Sequence, residues 1–303
     1  MESLAGIFCA LWTPTDYRGE ILWQALDEHL AFVFESGVGG LMALGSTGEF
    51  VHFDLPQRKS LLRHLAAGCQ KHSRRLVANV SDIQIRNVLE LAICAKDEGA
   101  DCIAVLPPWF FPTEQRDLAQ FFIRAAETAE VPLILYNFPE VTGKKIELST
   151  IRAVAEKVRV VAVKQSGAQY DFHHELLELG RELGFVVLTG SDTRLAETLQ
   201  LGCTGTISGL ANCVPEALCK IYVNTRAGLD SSGETKLVAE VAQAMSGLQF
   251  PLNVKATLQA RGFETGTEKM PISTETEGTY KLTVERLEEL YRRARLPIRG
   301  ASN

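Results

Sequence analysis

The sequence predicts an α/β fold, a closed (β/α)8 TIM barrel with a C-terminal helical extension. Three observations predict it. Short apolar runs alternate with longer stretches of helical periodicity eight times before Thr225, the count of such a barrel, which takes about 250 residues. The first apolar run leads into Trp12-Thr13-Pro14, unlike the Gly-rich turn of a doubly wound dinucleotide sheet. From Asp230 onward only helical patterns remain. The expected division is therefore a barrel over 1–226 and an extension over 227–303 packed on it, since Ser231-Ser232-Gly233 is too short to link independent units.

The elements follow in order. Gly6–Trp12 reads as the first strand, and Leu22–Ser36 as an amphipathic helix closed by Gly37. Val38–Leu44 is the second strand, and Leu55–Cys69 a helix with Pro56 at its start. Leu76–Val80 precedes a helix over Gln84–Glu98 that Gly99 ends. Asp101–Leu106 is stopped by Pro107-Pro108, and Glu114–Ala129 is helical. Val131–Tyr136 is the fifth strand, followed by a weaker helix over Leu148–Lys157. The sixth strand lies within Val158–Gly167, whose β-branched run fits a strand buried on both faces. Phe172–Leu183, Phe185–Leu188, Thr193–Leu201, Gly205–Ile207 and Pro215–Thr225 complete the alternation. The extension reads as helices over Glu234–Met245, Leu252–Arg261 and Val284–Arg295.

A formal charge of −6 leaves no basic surplus to neutralise phosphates, which argues against nucleic acid as a partner. The seven cysteines are scattered, odd in number and never spaced C-x-x-C, as expected of reduced core thiols and not of a disulfide framework or zinc site. No apolar run reaches the roughly 18 residues of a membrane span, and the start lacks the basic region of a signal peptide. A cytoplasmic protein is the expectation.

Chemistry in such a barrel sits where strands end and loops begin. Lys164 closes the sixth strand before Gln165-Ser166-Gly167. Desolvation disfavours an ammonium, so a lysine there can offer the neutral amine that imine formation requires. Tyr136 closes the fifth strand and leads into Asn137-Phe138-Pro139. After the second strand, Ser46 and Thr47 form a Gly-flanked hydroxyl pair whose amides can hold an anion. All three ends lie on the same rim and can face one cavity.

Taken together, GSTGEF at 45–50, YNFP at 136–139 and VVAVKQSG at 160–167 resemble the motifs of the dihydrodipicolinate synthase/N-acetylneuraminate lyase family, class I aldolases and lyases on a (β/α)8 barrel. The order matches over essentially the whole chain, including the 28 positions from Tyr136 to Lys164. The resemblance implies that Lys164 forms an iminium with the C2 carbonyl of a 2-oxo acid, usually pyruvate or its aldol adduct, without metal or other cofactor. It implies that Ser46 and Thr47 bind the substrate carboxylate, that Thr47 passes a hydrogen bond to Tyr136, and that Tyr136 is the general acid/base. Backbone near Ile207 would frame the pyruvate end. Relatives assemble as tetramers or dimers of dimers, so a homotetramer or dimer is expected.

Departures from the family pattern bear on the substrate. Valine stands at 141 where the synthases carry an arginine for the aldehyde's carboxylate, and Phe110 stands where they carry a tyrosine. Ser166 and Gln165 look like the lyases, and the stretches LPPWFFP and YNFPEVTGKKI look most like 2-keto-3-deoxygluconate-type aldolases. The favoured reading is cleavage of a 2-keto-3-deoxy sugar acid to pyruvate and an aldehyde, with Ser166 and Asp192 contacting the hydroxyl tail. Asp192 reads equally well as a helix N-cap. The alternatives are a dihydrodipicolinate (4-hydroxy-tetrahydrodipicolinate) synthase, an N-acetylneuraminate lyase or a keto-deoxy-acid dehydratase, and more remotely a non-catalytic keto-acid sensor. Glu49 is expected to hold its loop. His173-His174-Glu175 lacks the spacing of a helical ligand pair and reads as a solvated face.

Overall fold

The computed structural model describes residues 4–300. Eight parallel strands close into a barrel in sequence order: β1 (Gly6–Ala10), β2 (Gly40–Ala43), β3 (Arg75–Asn79), β4 (Cys102–Val105), β5 (Leu133–Asn137), β6 (Val160–Gln165), β7 (Val186–Thr189) and β8 (Gly205–Ser208). Between them run α1 (Trp23–Glu35), α2 (Leu55–Lys71), α3 (Ile85–Asp97), α4 (Gln115–Ala129), α5 (Pro139–Thr142), α6 (Leu148–Ala155), α7 (Phe172–Leu183) and α8 (Leu195–Leu201). After β8 follow α9 (Pro215–Arg226), α10 (Ser232–Ala244), α11 (Leu252–Ala260) and α12 (Thr274–Arg293). The strands are buried on both faces because helices cover the outside and side chains fill the inside. That is why they read as continuous apolar runs.

Closure depends on two places where backbones approach too closely for a side chain. In the β1–β8 ladder Gly6 pairs with Gly205, and a Cβ on Gly205 would stand 2.0 Å from the Gly6 carbonyl oxygen. In β2, a Cβ on Gly40 would stand 2.4 Å from the Arg75 carbonyl oxygen and 2.8 Å from the Phe8 ring.

Several expectations shift. The last helix starts at Thr274, ten residues before Val284, because the Ser273 side chain accepts from the Thr276 N–H and Glu275 and Glu277 suit the helix N-terminus. Its first turns are polar, so apolar periodicity could not reveal them. The Asn137-Phe138-Pro139 stretch leads into a short helix, α5, started by Pro139. His173 is buried, its Nδ1 2.8 Å from the Tyr170 carbonyl, so the solvated-face reading holds for His174 and Glu175 alone. Burial lowers its pKa.

The extension is fastened to the rim of the barrel. Helix α10 packs on α9, and α11 packs on α12 and on the 3₁₀ turn Leu210–Asn212 after β8. Arg261, 1% exposed, donates through Nη1 to the Cys213 carbonyl (2.7 Å) and to Glu216 (2.9 Å). Asn212 accepts from the Trp12 N–H (2.8 Å) and donates to the Ala10 carbonyl (2.8 Å), which welds the same turn to the end of β1. His29 of α1 supports it from outside, its Nε2 3.0 Å from the Asn212 carbonyl.

Two predictions follow from this packing. Gly205→Ala forces the β1–β8 closure apart and destabilises the fold by about 2 kcal/mol, read as a lower urea midpoint. Burial pushes His29 down to about 4 from 6.5, opposed by its bond to the Asn212 carbonyl. A histidine depressed in this way is neutral when folded and protonates first in the unfolded chain. Its stabilisation is thus full above pH 6.5 and lost as pH falls towards 4, on the order of 3 kcal/mol. Urea midpoints of wild type and His29→Gln at pH 7 and pH 4.5 check this: the variant should lose less stability on acidification.

Candidate active site

The site is built on the β5–β6 ladder. Tyr136 pairs directly with Lys164 in that register, and Asn137 with Gln165. Partners in register share a face of the sheet, so Tyr136 and Lys164 both point inward at the C-terminal rim. Lys164 is 3% exposed. Its Nζ lies 3.9 Å from the centre of the Tyr136 ring and 4.0 Å from Met42 Sδ. Just above, Asn137 Nδ2 donates to Gln165 Oε1 at 2.7 Å, and the Ile146 N–H donates to Asn137 Oδ1 at 2.9 Å. Gln165 therefore spends its side chain locking strand ends together.

A cavity of about 210 Å³ opens over the amine, and Thr47, Tyr136, Lys164, Ser166, Asp192 and Ile207 all line it. Ser46 lines an adjoining cavity of about 320 Å³, with Phe250 common to both. Ser46, Thr47, Tyr136, Lys164, Ser166, Asp192 and Ile207 thus line these two neighbouring cavities. The partner of the tyrosine hydroxyl differs from expectation: it is Ser46 Oγ, 3.4 Å away. Thr47 lines the same cavity as Tyr136, with Oγ1 3.5 Å from where a Cβ on Gly209 would stand.

Asp192 does not cap a helix. Its Oδ2 accepts from the Leu210 N–H at 3.0 Å, and α8 begins beyond it with Arg194 in the capping position. The other carboxylate oxygen, Oδ1, is buried without a protein partner. Burial raises the pKa of Asp192, and the Ser208 hydroxyl, the Leu210 N–H and the Lys164 charge pull it back. Ser166 finds room because residue 190 is glycine: a Cβ there would stand 2.1 Å from Ser166 Oγ.

Other contributors escape sequence reasoning. Met245, Phe250 and Val254 of the extension line the cavity, yet no spacing relates them to the rim motifs. Glu140 accepts from the Ala168 N–H at 2.7 Å and bridges the loops after β5 and β6. Among the described residues no cluster of three or more His, Cys, Asp or Glu is placed to hold a metal ion, and no helix is long and apolar enough to cross a membrane.

Residues 3–290 match the model of the dihydrodipicolinate synthetase family. The chain belongs to that family. Family members are class I, pyruvate-dependent lyases and aldolases that work through a lysine imine and need no metal or other cofactor, and this chain is an enzyme of that class. It is 26% identical over 267 residues to the 4-hydroxy-tetrahydrodipicolinate synthase of Staphylococcus haemolyticus, covering 88% of this chain and 90% of the relative. Two solved structures display the same fold. One is YagE of E. coli K12 in complex with pyruvate (24% identity, TM-score 0.87, 95% and 98% covered). The other is CdNal of Clostridium difficile in complex with mannosamine (20%, 0.87, 95% and 99%).

The geometry places the Ser46 hydroxyl within hydrogen-bond reach of Tyr136. Tyr136→Phe should lower turnover about 100-fold or more, the size of a lost general acid/base. Ser46→Ala should cost about tenfold, near the worth of one hydrogen bond. Thr47→Val should lower turnover less than Ser46→Ala does, because no hydrogen bond joins its hydroxyl to Tyr136. Steady-state kinetics across pH for the three variants check this ordering.

Proposed function

We propose that Lys164 condenses with carbon-2 of pyruvate and that the enzyme makes or breaks the bond from carbon-3 to an aldehyde carbon. The observation that carries this reading is the shared cavity in which the buried Lys164 amine meets Tyr136 and the Ser46–Thr47 loop. The amine adds to the carbonyl, the carbinolamine loses water, and the iminium so formed draws electrons from carbon-3. Loss of a carbon-3 proton gives an enamine whose attack on an aldehyde forms the new bond. Hydrolysis of the iminium then frees Lys164. Tyr136 moves protons to and from the carbinolamine and the aldehyde oxygen. Ser46, Thr47 and the amides of their loop receive the carboxylate, and backbone at Ile207 borders the pyruvate end.

For the aldehyde, the name carried by the curated relatives favours a 4-hydroxy-tetrahydrodipicolinate synthase type of condensation over cleavage of a 2-keto-3-deoxy sugar acid. The sugar-acid reading also weakens at its own residues, because Gln165 is committed to Asn137 and one oxygen of Asp192 to Leu210. With Val141 in the arginine's place, an aldehyde carboxylate has no cation from that position. The exposed Phe110–Phe111 pair, packed edge to face with ring centres 4.9 Å apart, is the patch we assign to contact between copies of the chain.

Intact-protein mass after pyruvate and borohydride should rise by one reduced adduct, mapped to Lys164 and absent in Lys164→Ala. No adduct on folded protein would overturn the imine. Pyruvate consumption with aspartate semialdehyde is expected to exceed pyruvate release from 2-keto-3-deoxygluconate; the reverse order would restore the sugar-acid reading.

A further inference from the structure

The loop that carries Ser46 and Thr47 is bracketed by two residues in the left-handed region, Leu44 at φ 57° and Glu49 at φ 57°. Neither is glycine, so each costs conformational energy that the surroundings must offset. Leu44 is held by the Asn79 side chain, whose Nδ2 donates to the Leu44 carbonyl. Glu49 is held from much farther along the chain. Lys269, 220 residues away, donates from Nζ to Glu49 Oε2 at 2.7 Å and to the Thr13 carbonyl at 2.9 Å. Its ammonium also lies 4.6 Å from the centre of the Trp12 ring. Both side chains are enclosed, with Lys269 4% and Glu49 13% exposed.

The segment around Lys269 is itself fixed to the loop after β1. The Trp12 indole N–H donates to the Thr265 carbonyl (3.1 Å), and the Thr267 N–H donates to the Thr15 carbonyl (2.7 Å). Gly48 packs on the stretch just after β1: a Cβ there would stand 2.6 Å from the Leu11 carbonyl oxygen. Lys269 therefore joins the extension, the end of β1 and the hydroxyl-bearing loop at one buried charge.

We propose that Lys269 is a positioning residue: its ion pair with Glu49 sets the backbone of the Ser46–Thr47 loop and, through it, the affinity of the site for the 2-oxo acid carboxylate. This rests on the imine reading above for its link to pyruvate. Lys269 then forms part of the substrate-binding machinery, acting through Glu49 and not by touching substrate.

The test uses Lys269→Met, Lys269→Arg and the double variant Glu49→Gln/Lys269→Met, which leaves no unpaired buried charge if the single variant folds poorly. Two quantities are read on the full chain. One is hydrogen exchange of the amides over residues 44–50. The other is the pyruvate concentration that gives half-maximal borohydride trapping at Lys164. Lys269→Met and the double variant should each exchange about tenfold faster over this loop and need about tenfold more pyruvate, equivalent to about 1.4 kcal/mol. Lys269→Arg should recover most of both. Unchanged exchange in the double variant overturns the proposal. Faster exchange with a pyruvate requirement within about twofold of wild type overturns its link to substrate. If wild type forms no adduct, the imine reading falls, and exchange alone decides whether Lys269 sets the loop.

Discussion

The parallel ladder between β5 and β6 pairs Tyr136 with Lys164, and the chemistry of the site depends on that register. A slip of one residue would turn one of the two out of the barrel, since side chains alternate faces along a strand. The register is secured beyond the ladder itself. Asn137 and Gln165, the next pair along, bond through their side chains, and Asn137 also takes the Ile146 N–H. These amides are buried, so each would be costly to leave unmade. The slip is excluded by unsatisfied polar groups as well as by exposed apolar ones.

Register puts the lysine in an environment with few polar partners. Its amine lies over an aromatic face and beside a thioether, with the Asp192 carboxylate as a nearby opposite charge. A ring face attracts a desolvated cation by about 2 kcal/mol, enough to seat the ammonium without a direct salt bridge. Such a group is held in place yet left without a tight acceptor, as the proposed addition to a carbonyl requires. Asp192 complements it from the loop after β7, with one oxygen bonded to the Leu210 N–H and the other unpartnered.

The Ser46–Thr47 side is built differently, from a loop between two left-handed residues held by groups outside it. Asn79 lies on the neighbouring strand, whereas Lys269 comes from the extension. Helix α11 and the segment after it therefore belong with the rim: they supply the Lys269 cation and the Val254 wall of the cavity, and Phe250 just before α11 is common to both cavities. The glycines at 40 and 205 play a parallel part lower down, where strands come together too closely for a Cβ.

The alternation of apolar runs and amphipathic stretches determined the barrel, because a strand buried on both faces and a helix buried on one leave different periods in the sequence. The same rule failed where an element has no apolar stripe, as in the first turns of α12, and where a buried histidine looks like a surface one, as at His173. The motif residues were legible because barrel chemistry gathers at strand ends, so Lys164, Tyr136, Ser46 and Thr47 could be placed on one rim from order alone. Which hydroxyl meets the tyrosine was decided by the left-handed path of the loop, and a dihedral angle at Leu44 or Glu49 has no signature in residue type. Tertiary structure alone also brought Lys269 to Glu49 and committed Gln165 to Asn137. These pairings depend on distance and direction between elements, and a one-dimensional pattern carries neither.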